Sequence, residues 1–288
     1  AAVNCCRRPP SIATHRLLVD CPDQLGRSHR IAEGLGHHGT NIVSNHQFVD
    51  AHAGRFFVRT EFQGDASSGI VDELKASLPE GADVRLGRTE TCRVVLLASR
   101  EPHCVGEILL RHAAAELGAS VEAVIANHDV LAPLVHRFGV PFHEVPADAA
   151  PPEAHEARVL DLVDRYRPDY IVLAKYMRVL SAGFVARYPG RIVNIHHSFL
   201  PAFAGANPYR QAFERGVKII GATAHFVTER LDEGPIIAQS VLPVDHGYGP
   251  AEMAQAGHDV EKIVLAKALR LVLEERVFVC GNRTIVFG

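Results

Sequence analysis

The chain has 288 residues, of which 47% are apolar and 22% charged, with a formal net charge of -3. That length can bury a sizeable core and predicts two domains, and the composition excludes a disordered chain. A nearly balanced charge with no dense Lys/Arg stripe excludes the electrostatic footprint of a nucleic-acid binder.

Residues 1–12 carry Arg7 and Arg8 and no acid, and are read as a disordered tail. From residue 13 to 89 the pattern predicts strand, helix, strand, strand, helix, strand. R-L-L-V-D is an apolar strand, C-P-D-Q-L-G a turn, and Gly26 to His38 a helix. N-I-V-S-N-H-Q-F-V and G-R-F-F-V-R-T-E-F flank D-A-H-A-G as a hairpin. Ile70, Val71, Leu74 and Leu78 give residues 67–78 a helical spacing, and a last strand falls near Val84. This order is a split βαβ, the ferredoxin-like plan.

Residues 90–288 change rhythm. V-V-L-L-A, V-E-A-V-I-A, V-P-F-H-E-V, Y-I-V-L-A and R-I-V-N-I-H read as strands, with helices from about His103, around Leu131 to Phe138 and through Leu160 and Val163. Strands apolar on consecutive positions and alternating with helices predict a doubly wound, mostly parallel α/β domain, whose ligands bind beyond the carboxyl ends of the strands. No apolar run approaches the roughly 18 residues of a membrane span. Six scattered cysteines without C-x-x-C spacing fit reduced thiols and a cytoplasmic location.

The strand R-I-V-N-I-H ends in polar residues, and a two-residue period puts Asn194 and His196 on one face. The pair is open to two readings, a satisfied structural amide and imidazole or a functional centre. Asp232 falls on a loop between the strand Ile219 to Val227 and another after Gly234-Pro235, where a surface turn acid is the ordinary expectation. His225 lies inside the first of these strands as a core histidine or a wall of a site. A metal centre built on His196, His197, His225, Asp232 and His246 is not expected: no H-x-x-x-H pair is present, and adjacent residues of a strand face opposite sides.

The run N-I-H-H-S-F-L-P-A-F-A-G-A-N-P-Y-R-Q-A-F-E-R-G-V-K-I-I-G-A-T-A-H-F-V-T-E-R-L-D-E-G-P-I-I resembles the signature of the folate-dependent formyltransferase superfamily. More narrowly the sequence resembles the formyltetrahydrofolate deformylases, over about residues 13 to 288: H-C-V-G-E-I-L-L, F-G-V-P-F-H, A-K-Y-M-R-V-L-S and V-C-G-N-R-T-I-V-F also match. The resemblance implies an ACT regulatory domain over 13–89 and a formyltransferase-like catalytic domain over 90–288. It implies hydrolysis of 10-formyltetrahydrofolate to tetrahydrofolate and formate, supplying formate for purine biosynthesis and balancing the one-carbon folate pool, with no metal cofactor.

Carried over, the catalytic residues are Asn194, His196 and Asp232, with Ser198 and His225 in support. The folate-binding residues are Tyr176, Met177, Arg178, Val179, Leu180, Thr228 and Leu231. The implied partners are the folate, a small amino-acid effector at the ACT domain and further copies of the chain, as dimer or tetramer, with neither nucleic acid nor membrane. The sequence departs from the family at L-G-R-S-H-R, which puts Arg27, His29 and Arg30 beside the effector edge. Glycinamide ribonucleotide formyltransferases carry a glycine-rich phosphate loop where this chain reads A-S-R-E-P-H-C-V-G, so water is the expected acceptor. The rival readings are a formyltransferase acting on a small amine and a protein that only binds folate and senses amino acids.

Overall fold

The computed structural model describes residues 13–147, 151–202 and 208–288; the tail expected at residues 1–12 lies outside them. The chain divides into two compact units, one of Ala1–Glu90 with Phe287–Gly288 and one of Thr91–Val286.

The first unit follows the expected element order: β1 (Thr14–Pro22), α1 (Arg27–His37), β2 (Asn41–Asp50), β3 (Arg55–Gln63), α2 (Ser68–Ser77) and β4 (Asp83–Leu86). Its antiparallel sheet has the order β2-β3-β1-β4. Leu17, Val19 and Cys21, spaced by two along β1, turn one face toward Ile31 and Leu35 of α1 and Ile70 and Leu74 of α2. That apolar layer is the core of the unit, and each fully buried Leu or Ile in it contributes about 1.5–3 kcal/mol.

The second unit runs β5 (Cys92–Ala98), α3 (Pro102–Ala113), β6 (Ala119–Ala126), α4 (Ala132–His136), β7 (Phe142–Glu144), α5 (Pro152–Tyr166), β8 (Tyr170–Ala174), α6 (Ala182–Arg187) and β9 (Ile192–His196). It continues with α7 (Pro208–Arg215), β10 (Ile219–Phe226), β11 (Ile236–Pro243), α8 (Pro250–Leu273), β12 (Val277–Cys280) and β13 (Arg283–Val286). The helix expected from Leu131 to Phe138 is broken, a single 3-10 turn at Asp129–Leu131 preceding the short α4. Pro133 accounts for this: with no N–H and a fixed φ, it fits only the first turn of a helix.

Seven strands form one sheet in the order β11-β10-β9-β8-β5-β6-β7. The five from β9 to β7 are parallel, and β10 and β11 are antiparallel additions at one side. Strand β5 shows why its sequence is apolar on consecutive positions. Val94, Leu96 and Ala98 pack in one core with α3 and α8, while Val95 and Leu97 pack in a second with α5 and α6. From β5 the chain first adds strands toward β7 and then returns to add β8 and β9 on the other side. The crevice beyond the carboxyl ends of β5 and β8 is therefore the switch point of the sheet, where an open α/β fold offers its binding site. No helix among the described residues is long and apolar enough to cross a membrane.

Candidate active site

Asn194 and His196 lie on β9, whose neighbour β10 sets Asn194 opposite His225 and His196 opposite Thr223. The loop leaving β10 folds back, with the Phe226 N–H donating to the Pro235 carbonyl and Asp232 held at φ 56. Gly234 permits this turn, because a Cβ there would stand 1.8 Å from the Phe226 oxygen. The loop thus returns Asp232 to the face that carries His196.

Asp232 Oδ2 stands 3.3 Å from His196 Nδ1, and Asp232 Oδ1 stands 3.7 Å from His225 Nε2. Burial would raise the Asp232 pKa, but hydrogen bonding to His196 and the charge on that ring hold it below the usual carboxylate range; His225, whose Nε2 is an acceptor, adds no proton to it. Asp232 is therefore ionised. His225 Nδ1 donates to the Phe226 carbonyl at 2.9 Å, and its Nε2 accepts from Asn194 Nδ2 at 3.2 Å. Those two contacts fix the His225 tautomer and the orientation of the Asn194 amide, leaving the second Nδ2 hydrogen for another acceptor.

His196 is only 5% exposed, and its Nε2 is buried with no hydrogen-bond partner among the described residues. An unpartnered buried polar atom costs about 1–3 kcal/mol, so this nitrogen marks a place for a ligand. It borders a cleft of about 290 Å³ lined by Asn194, His196, His225 and Asp232 together with Tyr176, Met177, Arg178, Val179, Leu180, Thr228 and Leu231. Met177, Val179 and Leu231 are exposed apolar side chains at 57%, 69% and 63%. They form the kind of apolar wall with few polar anchors that takes a flat ring. The Met177 N–H donates to Ser99 Oγ at 3.0 Å, which ties this wall to the end of β5. A second cavity of about 510 Å³ lies on the other side of the same segment, against α5 and α6, and holds none of the three central residues.

Ser198 does not line the cleft. Its hydroxyl donates to the Ala202 carbonyl at 2.7 Å and its own carbonyl accepts from Thr223, so it shapes the turn after β9. The expectation that His196 and His197 face opposite sides is corrected. β9 ends at His196, the chain turns, and the two rings lie 5.1 Å apart, both on the cleft. His246, raised as a member of a metal set, is absent from the cleft lining. Among the described residues, the groups that could offer three metal-ligand atoms are Glu101, His103 and His258, and His103, Cys104 and Glu261.

Sequence reasoning missed a polar network that adjoins the cleft. Lys175, just after β8, is 4% exposed and lines the cleft; its Nζ lies 3.2 Å from Glu261 Oε2 and 3.6 Å from Glu101 Oε2. Glu261 on α8 is fully buried and also takes hydrogen bonds from His103 Nε2 at 2.8 Å and Tyr209 Oη at 2.5 Å. Burial opposes its charge, yet the His103 hydrogen bond and the Lys175 ammonium hold the carboxyl down at about 2. Gly257, one turn before Glu261, makes room for Tyr209, whose Oη lies where a Cβ would come within 2.1 Å. A Lys after a strand and a Glu in the middle of a helix read in the sequence as ordinary solvated charge, so nothing local announced this network.

An ionised carboxylate behind a buried imidazole, an oriented amide and an apolar slot at the end of a parallel sheet define an enzyme of the formyltransferase class. The formyl transferase family model matches residues 92–269. The formyltetrahydrofolate deformylase of Escherichia coli (strain K12) is 52% identical over 267 residues, covering 92% of this chain and 95% of that protein. The crystal structure of a formyltetrahydrofolate deformylase from Pseudomonas syringae pv. tomato str. DC3000 matches with a TM-score of 0.91 at 40% identity, over 96% of this chain and 94% of that one. Glycinamide ribonucleotide transformylase 1 from Symbiobacterium toebii matches with a TM-score of 0.66 at 32% identity, over 70% of this chain and 96% of its own. The chain belongs to the formyltetrahydrofolate deformylase family.

Proposed function

We propose that this protein hydrolyses 10-formyltetrahydrofolate to tetrahydrofolate and formate. The observation that carries the reading is His196, a buried imidazole with Asp232 on one nitrogen and, among the described residues, no partner on the other. The formyl oxygen accepts from the free Nδ2 hydrogen of Asn194 and from the Nε2–H of His196, whose Nδ1 faces Asp232. Asp232 Oδ1, which gets no proton from the His225 lone pair, orients the attacking water. The water oxygen bonds to the formyl carbon, the carbon–nitrogen bond breaks, and the water proton passes by way of Asp232 to the leaving nitrogen. The reduced pterin stacks in the slot of Tyr176 to Leu180, closed on the other side by Thr228 and Leu231. Formate so released supplies purine synthesis in the cytoplasm, and the freed tetrahydrofolate returns to the one-carbon pool. None of these steps is assigned to a metal ion.

The N-terminal unit is read as a ferredoxin-like ACT domain over residues 13–89, supported by its element order and by the sheet order β2-β3-β1-β4. Its proposed roles are to bind a small amino acid and to pair with further copies of the chain.

The decisive assay supplies 10-formyltetrahydrofolate and no amine. Formate and tetrahydrofolate should form in equal amounts, and their absence would overturn the reading. Asp232→Asn and His196→Ala should each lower kcat by about 10³-fold or more while the folded state is kept. Near-normal turnover in both would remove these residues from the mechanism.

A further inference from the structure

A deformylase meets a selectivity problem, because cellular amines are far better nucleophiles than water toward an activated formyl group. The Tyr176 to Leu180 segment and the Thr228 to Asp232 loop both line the cleft, in the part proposed to take the pterin. On the side of the switch point it is lined by Lys175 and His197. Behind Lys175 stand Glu261, His103, Tyr209 and Glu101, from α8, α3, α7 and the loop that follows β5.

Several features say that this arrangement was assembled for something other than stability. Replacing a buried ion pair by apolar packing is often neutral or stabilising, so such a pair is a poor way to hold a fold together. Lys175 also sits at φ 62, a left-handed conformation that a side-chain-bearing residue adopts at a cost. Glycine is the residue this backbone favours, and glycine would leave that side of the cleft open.

We propose that Lys175 determines the choice of acceptor: pinned by Glu261, it occupies the side of the cleft that an acceptor amine would need, and so reserves the formyl carbon for water. The pairing does a second job. A neutral lysine amine beside a formyl donor would itself be formylated, whereas an ammonium facing a buried carboxylate has no lone pair to attack with. Glu261 therefore keeps the blocking group chemically inert. This inference rests on the hydrolase reading above and adds to it the residue that makes water the acceptor.

The experiment supplies 10-formyltetrahydrofolate with increasing glycinamide and measures formate and N-formylglycinamide by mass spectrometry. In the opened variant the amine nitrogen bonds to the formyl carbon, the bond to the folate nitrogen breaks, and the amine proton passes to that nitrogen. The native protein should give formate alone at every glycinamide concentration. The double variant Lys175→Gly/Glu261→Gln, which removes both charges together, should raise the ratio of formylated amine to formate at least 10-fold. Lys175→Ala repeats the test in a background where Glu261 keeps its bonds from His103 and Tyr209, should the double variant fail to fold. A ratio unchanged from the native protein in a folded variant that still releases formate would overturn the proposal. So would loss of formate release from a folded variant, since Lys175 would then belong to the chemistry itself. Absence of formate from the native protein would instead sink the hydrolase reading.

Discussion

His197 follows His196 directly, and both rings line the cleft. Burial, then the nearby Lys175 and His196, push the His197 pKa down to about 4 from an ordinary 6.5. Its ring is therefore neutral at pH 7 and unsuited to donate two protons at once. The folded protein refuses a proton that the unfolded chain accepts below pH 6.5, so stability is full above that value and falls as the pH drops toward 4. A shift of this size corresponds to about 3 kcal/mol. The urea midpoint of the native protein should therefore decline between pH 7.5 and 4.5, and the decline should shrink in His197→Gln; equal declines would contradict this account. Asp232 works in another window, since its lowered pKa adds stability above an unfolded value near 3.8 that is lost only at more acid pH. Asn194 and His196 were legible in the sequence because a strand's two-residue period places them together. Asp232 was not legible from its own surroundings, where it reads as a turn acid, and only the resemblance singled it out. Lys175 and Glu261 carried no signal: the two lie 86 positions apart in sequence, and an isolated Lys or Glu is usually a solvated charge.

At the scale of elements, the strands were legible and the longest helix was not. β5, β6, β8 and β9 announce themselves as short apolar runs. α8 was passed over, although Val260, Val264 and Leu265 recur at helical spacing and Pro250 stands in its first turn. The β10 to β11 connection is the element on which the chemistry turns most directly. Gly234→Ala should force the connection away from the Phe226 carbonyl and carry Asp232 off His196. Formate release should fall at least 10-fold, with a much smaller change in folate affinity measured by equilibrium binding. Unchanged kcat would mean that the loop can rearrange without moving the carboxylate.

At the scale of the whole molecule, each of the two units has a buried core of its own. The element order of both was legible, because a hairpin set between two helices marks the first half and continuous apolar strands alternating with helices mark the second. In the first unit, β2 is an edge strand of ten residues with Ile42, Val43 and Phe48 exposed at 36%, 53% and 44%. An apolar strand edge of this kind invites a second strand, which supports the proposed homo-oligomer. Light scattering should give a dimer or tetramer for the native chain and a smaller species for Val43→Glu/Phe48→Glu; a native monomer would count against the pairing. Calorimetric titration with glycine and methionine tests the proposed effector site, and silence with every amino acid would argue against it.

Lys175 and Asp232 face the same cleft with opposite charge, and both hold left-handed backbone angles, φ 62 and φ 56. Each conformation sacrifices about 1 kcal/mol that a glycine would recover. Selection for sturdiness alone would thus press on the backbone at the two places where selectivity and turnover are proposed to reside. A laboratory lineage evolved only for heat resistance would be drawn toward forms that endure longer and do less.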